Sequence, residues 1–128
     1  MNSRKDRLKK LVKVQEQLKA FHETRHAGFL AAASAAETEA RDLAKSFDAE
    51  ASYSALFPEL YNRRIASALT RKDTSLERAR GEAGRVATAT ARTNMVERAY
   101  REVLRTDERD QADRERLELI QRKTPEAK

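Results

Sequence analysis

The sequence predicts an all-α chain, an elongated antiparallel two-helix coiled-coil hairpin with a C-terminal helical overhang. Three observations carry this. An apolar stripe returns every eleven residues through the first half: Leu18, Phe21 and Arg25, then Phe29, Ala32 and Ala36, then Ala40, Leu43 and Phe47. Eleven residues over three turns stays close to the natural helical twist, so one face remains apolar without strong supercoiling. The second half offers a comparable stripe in Ile65, Leu69, Leu76, Ala79, Ala83, Val86, Val96, Tyr100 and Val103, and two narrow stripes in one chain cover each other by folding back. Between them, only the segment from Ser52 to Pro58 loses its helix signals together.

Composition agrees. Of 128 residues, 38% are charged, 39% hydrophobic and only 5% aromatic, which leaves enough apolar mass for a seam but not for a thick globular core. Three Gly and two Pro among abundant Ala, Glu, Arg, Lys and Leu suit long helices. The absence of cysteine removes disulfides and thiolate metal sites and fits a reducing cytoplasm. The basic N-terminus is followed by Leu11-Val12-Lys13-Val14-Gln15-Glu16, which is no signal-peptide core, and no run approaches the roughly 20 apolar residues of a membrane span.

The first helix is expected over about residues 4–49. It opens basic, with seven cations against two acids in residues 1–20, and ends acidic, with five acids against two cations in 37–50. The turn spans about 50–57. Phe57 is pushed out of the α region by the proline after it, and Pro58 with Glu59 suits a first helical turn, where no N–H is needed and the dipole favours an acid. The second helix follows over about 58–122, before Pro125, with a short disordered tail. Residues 61–92 carry eight cations against three acids, so folding back sets a basic start against an acidic end. Pairing large with small residues sets Phe47 against Ile65, Leu43 against Leu69, Ala32 against Ala79, Phe29 against Gly81 and Ala83, Val14 against Val96, Leu11 against Tyr100 and Leu8 against Val103. Gly81 and Gly84, inside a helical pattern, read as sites of close helix approach or a local bend. Past Leu104 no first helix remains to pair with. Residues 97–123 balance eight acids with eight cations, either a solvated single helix or a surface for a partner or for self-association.

One motif resembles catalytic chemistry. His22-Glu23-Thr24-Arg25-His26 fits H-E-x-x-H, which on a helix turns two imidazoles to one side as zinc peptidases require. A hydrolytic site also needs a third ligand and an open water position, for which only Glu82 or Glu97 is on offer. Phe29 stands where the extended motif has glycine, and Arg25 brings a positive charge next to the metal. The motif is therefore read as two exposed helix histidines, His22 and His26 remaining the only metal candidates. No phosphate loop or nucleophile set accompanies it. The expectation is no enzyme and no cofactor.

The basic residues Arg4, Lys5, Arg7, Lys9, Lys10 and Lys13 could grip phosphates, making a nucleic-acid-binding coiled coil the principal alternative, although no aromatic platform interleaves them. A generic adaptor coiled coil and, distantly, a small zinc peptidase complete the alternatives.

Three segments carry a family likeness: the opening Arg7-Leu8-Lys9-Lys10-Leu11-Val12-Lys13-Val14-Gln15-Glu16, the restart Leu60-Tyr61-Asn62-Arg63-Arg64-Ile65-Ala66-Ser67-Ala68-Leu69, and the closing Ala99-Tyr100-Arg101-Glu102-Val103-Leu104 before a Glu/Arg/Asp-rich helix. Together they resemble the FliJ family of flagellar type III export proteins and its injectisome counterparts, over nearly the whole chain. The resemblance implies a cytoplasmic stalk, peripheral at the membrane export apparatus, whose paired N- and C-terminal regions enter the pore of the export ATPase hexamer much as a rotor shaft does in rotary ATP synthases. It also implies promotion of ring assembly, contact with the export gate membrane protein and exchange with export chaperones. By that resemblance Arg4, Lys5, Arg7, Lys9, Lys10 and Lys13, with Arg109, Arg114 and Arg116, would face the ring, and Ile65 and Leu69 the gate. Ile65 stands where an aromatic is usual in the family. The plainer reading of Ile65 and Leu69 is seam packing against Phe47 and Leu43, and of the basic residues a solvated face.

Overall fold

The computed structural model describes residues 3–50 and 53–123. Two long helices pack against each other, and no strand occurs among the described residues. The first, α1, runs Arg4–Asp48, and the second, α2, runs Pro58–Lys123. Both agree with the sequence to within a residue at each end. The expected tail lies, from residue 124 on, outside the described residues, as do 51 and 52 of the turn.

The ends are set by capping. Ser3 accepts at Oγ from the Asp6 amide, 3.2 Å, filling one of the orphan donors of a helix start, and its carbonyl accepts the first intrahelical bond from the Arg7 amide, 3.0 Å. At the other end of α1, the hydroxyl of Ser54 donates to the carbonyl of Phe47 at 2.7 Å. Ser54 lies in a 3₁₀ turn, Tyr53–Ala55, whose Tyr53 carbonyl accepts from Leu56 and Phe57. Phe57 is outside both helices and Pro58 begins α2, as the proline rule requires.

Covered positions correct the expected period. Along α1, the repeating covered residues after Gln17 are Lys19, His22, His26, Phe29, Ala33, Ala36, Ala40, Leu43 and Phe47. Along α2, up to Thr88, they are Tyr61, Ile65, Ala68, Lys72, Ser75, Ala79, Glu82 and Val86. Both sets alternate steps of three and four, the heptad spacing of a left-handed coiled coil, not an eleven-residue repeat. Leu18, Phe21 and Ala32, placed on the stripe by the sequence, are exposed, and so are Leu69 and Ala83 on α2. The reason is physical: Lys19, His22, His26, Lys72 and Glu82 occupy seam positions, so an apolarity pattern slides onto the neighbouring row of Leu and Phe.

The register moves with it. Phe47 faces Tyr61, ring centroids 6.0 Å apart and edge-on, instead of Ile65. Covered positions pair at residue numbers adding to about 108, roughly one helical turn from the expected ladder. The charge argument holds: Arg71 reaches Glu39 at 2.7 Å and Lys72 reaches Glu37 at 3.7 Å, basic start against acidic end.

Contacts gather into two units. In Leu18–Thr88, the end of α1, the turn and the start of α2 form an antiparallel pair whose fully covered side chains are mostly alanine: Ala33, Ala36, Ala40, Ala68 and Ala79. Small seam residues let backbones approach closely. The glycines have no part in that approach. A Cβ on Gly84 or Gly28 would meet nothing within 4 Å, and one on Gly81 only Nη1 of Arg85 at 3.8 Å. In the other unit, residues 3–17 of α1 pair with α2 from Ala89 onward, again in heptad spacing through Leu8, Val12 and Gln15 and through Ala89, Thr93, Val96, Tyr100 and Val103. There Leu11 and Val14 are exposed, against expectation. From Arg105 to Lys123 every residue except Ala112 is exposed, the stretch of α2 that outruns α1.

Candidate functional site

The chemistry of the molecule concentrates where the Leu18–Thr88 unit buries a carboxylate. Glu82 takes a seam position that a heptad ordinarily gives to an apolar residue, and it is only 2% exposed. A buried carboxylate needs donors. Three side chains supply them. His22 Nδ1 lies 2.7 Å from Oε2 of Glu82, and because a carboxylate only accepts, Nδ1 carries the proton. Arg25 donates from Nε to Oε1 at 3.0 Å, and Arg85 from Nη1 to the same oxygen at 2.9 Å. Burial pushes the Glu82 carboxyl up, but the hydrogen bonds from Arg25 and His22 and the charges of Arg85 and Arg25 outweigh it, and the net direction is down from the ordinary 4.5. Glu82 is therefore ionised at neutral pH.

The arginine is held from its faces as well. The Arg25 guanidinium carbon lies 5.6 Å from the centroid of Phe21 and 5.4 Å from that of Phe29, within cation–π reach of both. Phe21 also meets His22 edge-on at 5.2 Å. Beside this cluster is an open hollow of about 420 Å³ lined by Arg25, Phe29, Thr74, Glu77, Arg78, Gly81, Glu82 and Arg85.

The H-E-x-x-H segment is thereby given a different task. His22 is a partner of Glu82, the very residue considered as a third ligand, but Glu82 already takes both guanidiniums. Glu23 is exposed and lies 3.9 Å from Lys19. Among the described residues no three His, Cys, Asp or Glu side chains gather to hold a metal ion. The cluster was hidden from the sequence because its members sit on two helices and are joined only by the register. The available signal was a glutamate on a heptad position with arginine three residues on.

The other candidates are placed as follows. Arg4, Arg7, Lys9, Lys10 and Lys13 are exposed on the first turns of α1, while Lys5 is half-buried on the seam row. Arg4 lines a hollow of about 400 Å³ with Ala99, Glu102, Val103, Thr106 and Asp107. Arg109, Arg114 and Arg116 are exposed on the outrunning part of α2, with Arg116 3.8 Å from Asp113. Ile65 and Leu69 separate: Ile65 is a half-buried seam residue, whereas Leu69 is 44% exposed. Apolar side chains the sequence did not single out are exposed at the turn, Tyr53, Leu56, Phe57 and Leu60, around two hollows of about 350 and 360 Å³ edged by Arg64 and Arg63. No helix is long and apolar enough to cross a membrane among the described residues.

No family model matches the chain, and neither a curated protein nor a solved structure gives a significant match.

Proposed function

We propose that this chain is a non-catalytic cytoplasmic stalk or adaptor of a type III protein export apparatus, peripheral at the membrane, which binds the export ATPase hexamer and stimulates it. The observation that carries the reading is the exposed run Arg4, Arg7, Lys9, Lys10 and Lys13 at the start of α1, where five cations lie within about three helical turns. Such a run steers a helix toward an acidic partner and sets register there more than it adds affinity. The three sequence segments that resemble the FliJ family supply the identity of that partner, and the all-helical pairing of α1 with α2 is compatible with that resemblance. In this reading Arg109, Arg114 and Arg116 add further ring-facing charge. Leu69, exposed, serves the export gate membrane protein, and Ile65 serves the seam beneath it. Export chaperones exchange on the same stalk.

Co-purification with the export ATPase tests the proposal. Charge reversal in Lys9→Glu/Lys10→Glu/Lys13→Glu is expected to lower ATPase stimulation severalfold while leaving helical circular dichroism intact. Unchanged stimulation removes these residues from the interface. The nucleic-acid alternative rests on the same cations. It requires affinity for DNA that falls steeply between low and moderate salt, and a flat salt response removes it.

A further inference from the structure

We propose that Arg25, Arg78 and Arg85 form a docking clamp for an acidic side chain of a helical protein partner, built on the Leu18–Thr88 unit and separate from the residues expected to face the ATPase ring. Two of the three guanidiniums are held in place by one buried group: Glu82 accepts Nε of Arg25 and Nη1 of Arg85 on a single oxygen. Those bonds use one N–H group of each arginine, so both Nη groups of Arg25 and the Nε and Nη2 of Arg85 have no acceptor among the described residues. Arg78 lines the same hollow and makes no ion pair among the described residues. Pre-positioned guanidinium forks lose little side-chain entropy on meeting a carboxylate, and they recognise its two oxygens in one plane.

The charge of the hollow selects the ligand. Three guanidiniums face two carboxylates, Glu77 and Glu82, which leaves one net positive charge. That matches a single carboxylate better than a doubly charged phosphate, whose second charge would lie against Glu77. The hollow is open along the helix pair, so it cannot enclose a small ion, and its partner must bring contact area of its own. Phe21, 53% exposed and in contact with the Arg25 guanidinium, supplies an apolar shoulder next to the clamp. Exposed aromatic and arginine side chains together are the composition of interface centres. An amphipathic helix with glutamate beside leucines fits that surface, laid alongside α1 with one glutamate on the clamp and its apolar row on Phe21.

The full chain would be titrated with a labelled amphipathic helical peptide of Glu, Leu and Ala, followed by fluorescence anisotropy. Arg78→Ala, which disturbs no contact of Glu82, is expected to weaken binding roughly tenfold, and Arg85→Ala by at least as much. Arg63→Ala and Arg80→Ala remove the same charge elsewhere and are expected to leave binding unchanged. A peptide with every Glu replaced by Gln is expected not to bind. Full affinity in Arg78→Ala, or equal losses in the Arg63 and Arg80 variants, overturns the clamp. Competition by inorganic pyrophosphate as effective as unlabelled peptide would make it a phosphate site and overturn the carboxylate assignment. These outcomes are independent of ATPase stimulation, so the clamp and the stalk proposal fail separately.

Discussion

Nδ1 of His22 and Oε2 of Glu82, sixty residues apart in the chain, lie 2.7 Å from one another across the two helices. With Arg25 and Arg85 on the other oxygen, this contact makes Glu82, the one fully buried acid among the described residues, the centre of a four-residue polar layer. Replacing such a layer with apolar side chains is often neutral or stabilising, so its contribution is better assigned to pairing specificity: a slip of one helix past the other would take His22 and Arg25 away from the buried Glu82 charge and leave it only Arg85, which lies on its own helix.

The Glu82 shift sets a pH dependence. Its folded value lies below the ordinary 4.5, so the stabilisation is fully present above that value and is lost as pH falls below it. Glu82→Gln cannot titrate. Thermal melts between pH 7 and pH 3 are expected to show the wild type losing more melting temperature than Glu82→Gln on the acid side of 4.5, with the variant lower by several degrees at pH 7. Parallel acid limbs would mean that the layer does not hold the carboxylate ionised.

The register is open to a direct chemical test, because the chain has no cysteine of its own. Ala40 and Ala68 are both buried seam residues on the ladder that sets Phe47 against Tyr61. Ala40→Cys/Ala68→Cys is expected to oxidise to an intramolecular disulfide, whose Cα atoms must lie within about 7 Å. Ala40→Cys/Arg71→Cys, matched on the ladder that the apolar stripes suggest, is expected to remain reduced. The opposite result on non-reducing gels would restore the first register.

Why one ladder was legible and the other was not follows from particular side chains. Pro58, Phe57 and the charge swing from Glu37 and Glu39 to Arg71 and Lys72 are local signals, and they located the helices, the turn and the antiparallel sense correctly. Register is a difference between two seams, and here both seams carry polar residues. His22, His26 and Glu82 look like surface, while Leu18, Phe21 and Leu69 look like core and are exposed. The H-E-x-x-H letters suggest two exposed histidines on one helical face; both instead take half-buried seam positions, and His22 spends its Nδ1 on Glu82.

Ala68 has no exposed surface at all. A larger side chain there must push the helices apart or leave its rotamer, so Ala68→Leu is expected to cost about 1–3 kcal/mol in chemical denaturation. Ala66→Leu, on an exposed position two residues away, is expected to be nearly neutral. Equal effects would show that the alanine seam has room to spare.

Gly84 lies mid-helix with open space where its Cβ would be. Gly84→Ala removes backbone freedom from the unfolded chain without meeting a neighbour, and stabilisation by about 0.5–1 kcal/mol is expected. Loss of stability in the same measurement would imply the close approach that the sequence first suggested.

Gln15 carries the complementary defect. It occupies a seam position in the unit of residues 3–17 and 89–123, and its Oε1 is buried without a hydrogen-bond partner in the protein, while nearby Thr93 satisfies its hydroxyl on the Ala89 carbonyl at 2.8 Å. An unsatisfied buried acceptor costs about 1–3 kcal/mol, and a heptad position of this kind accepts leucine. Gln15→Leu is therefore expected to raise stability by about 1 kcal/mol or more in urea denaturation. Gln17→Leu, on an exposed position of the same helix, is expected to change little. If Gln15→Leu destabilises instead, the amide has a partner that the seam geometry does not provide, and the polar layer at Gln15 would belong with that of Glu82 as a determinant of pairing.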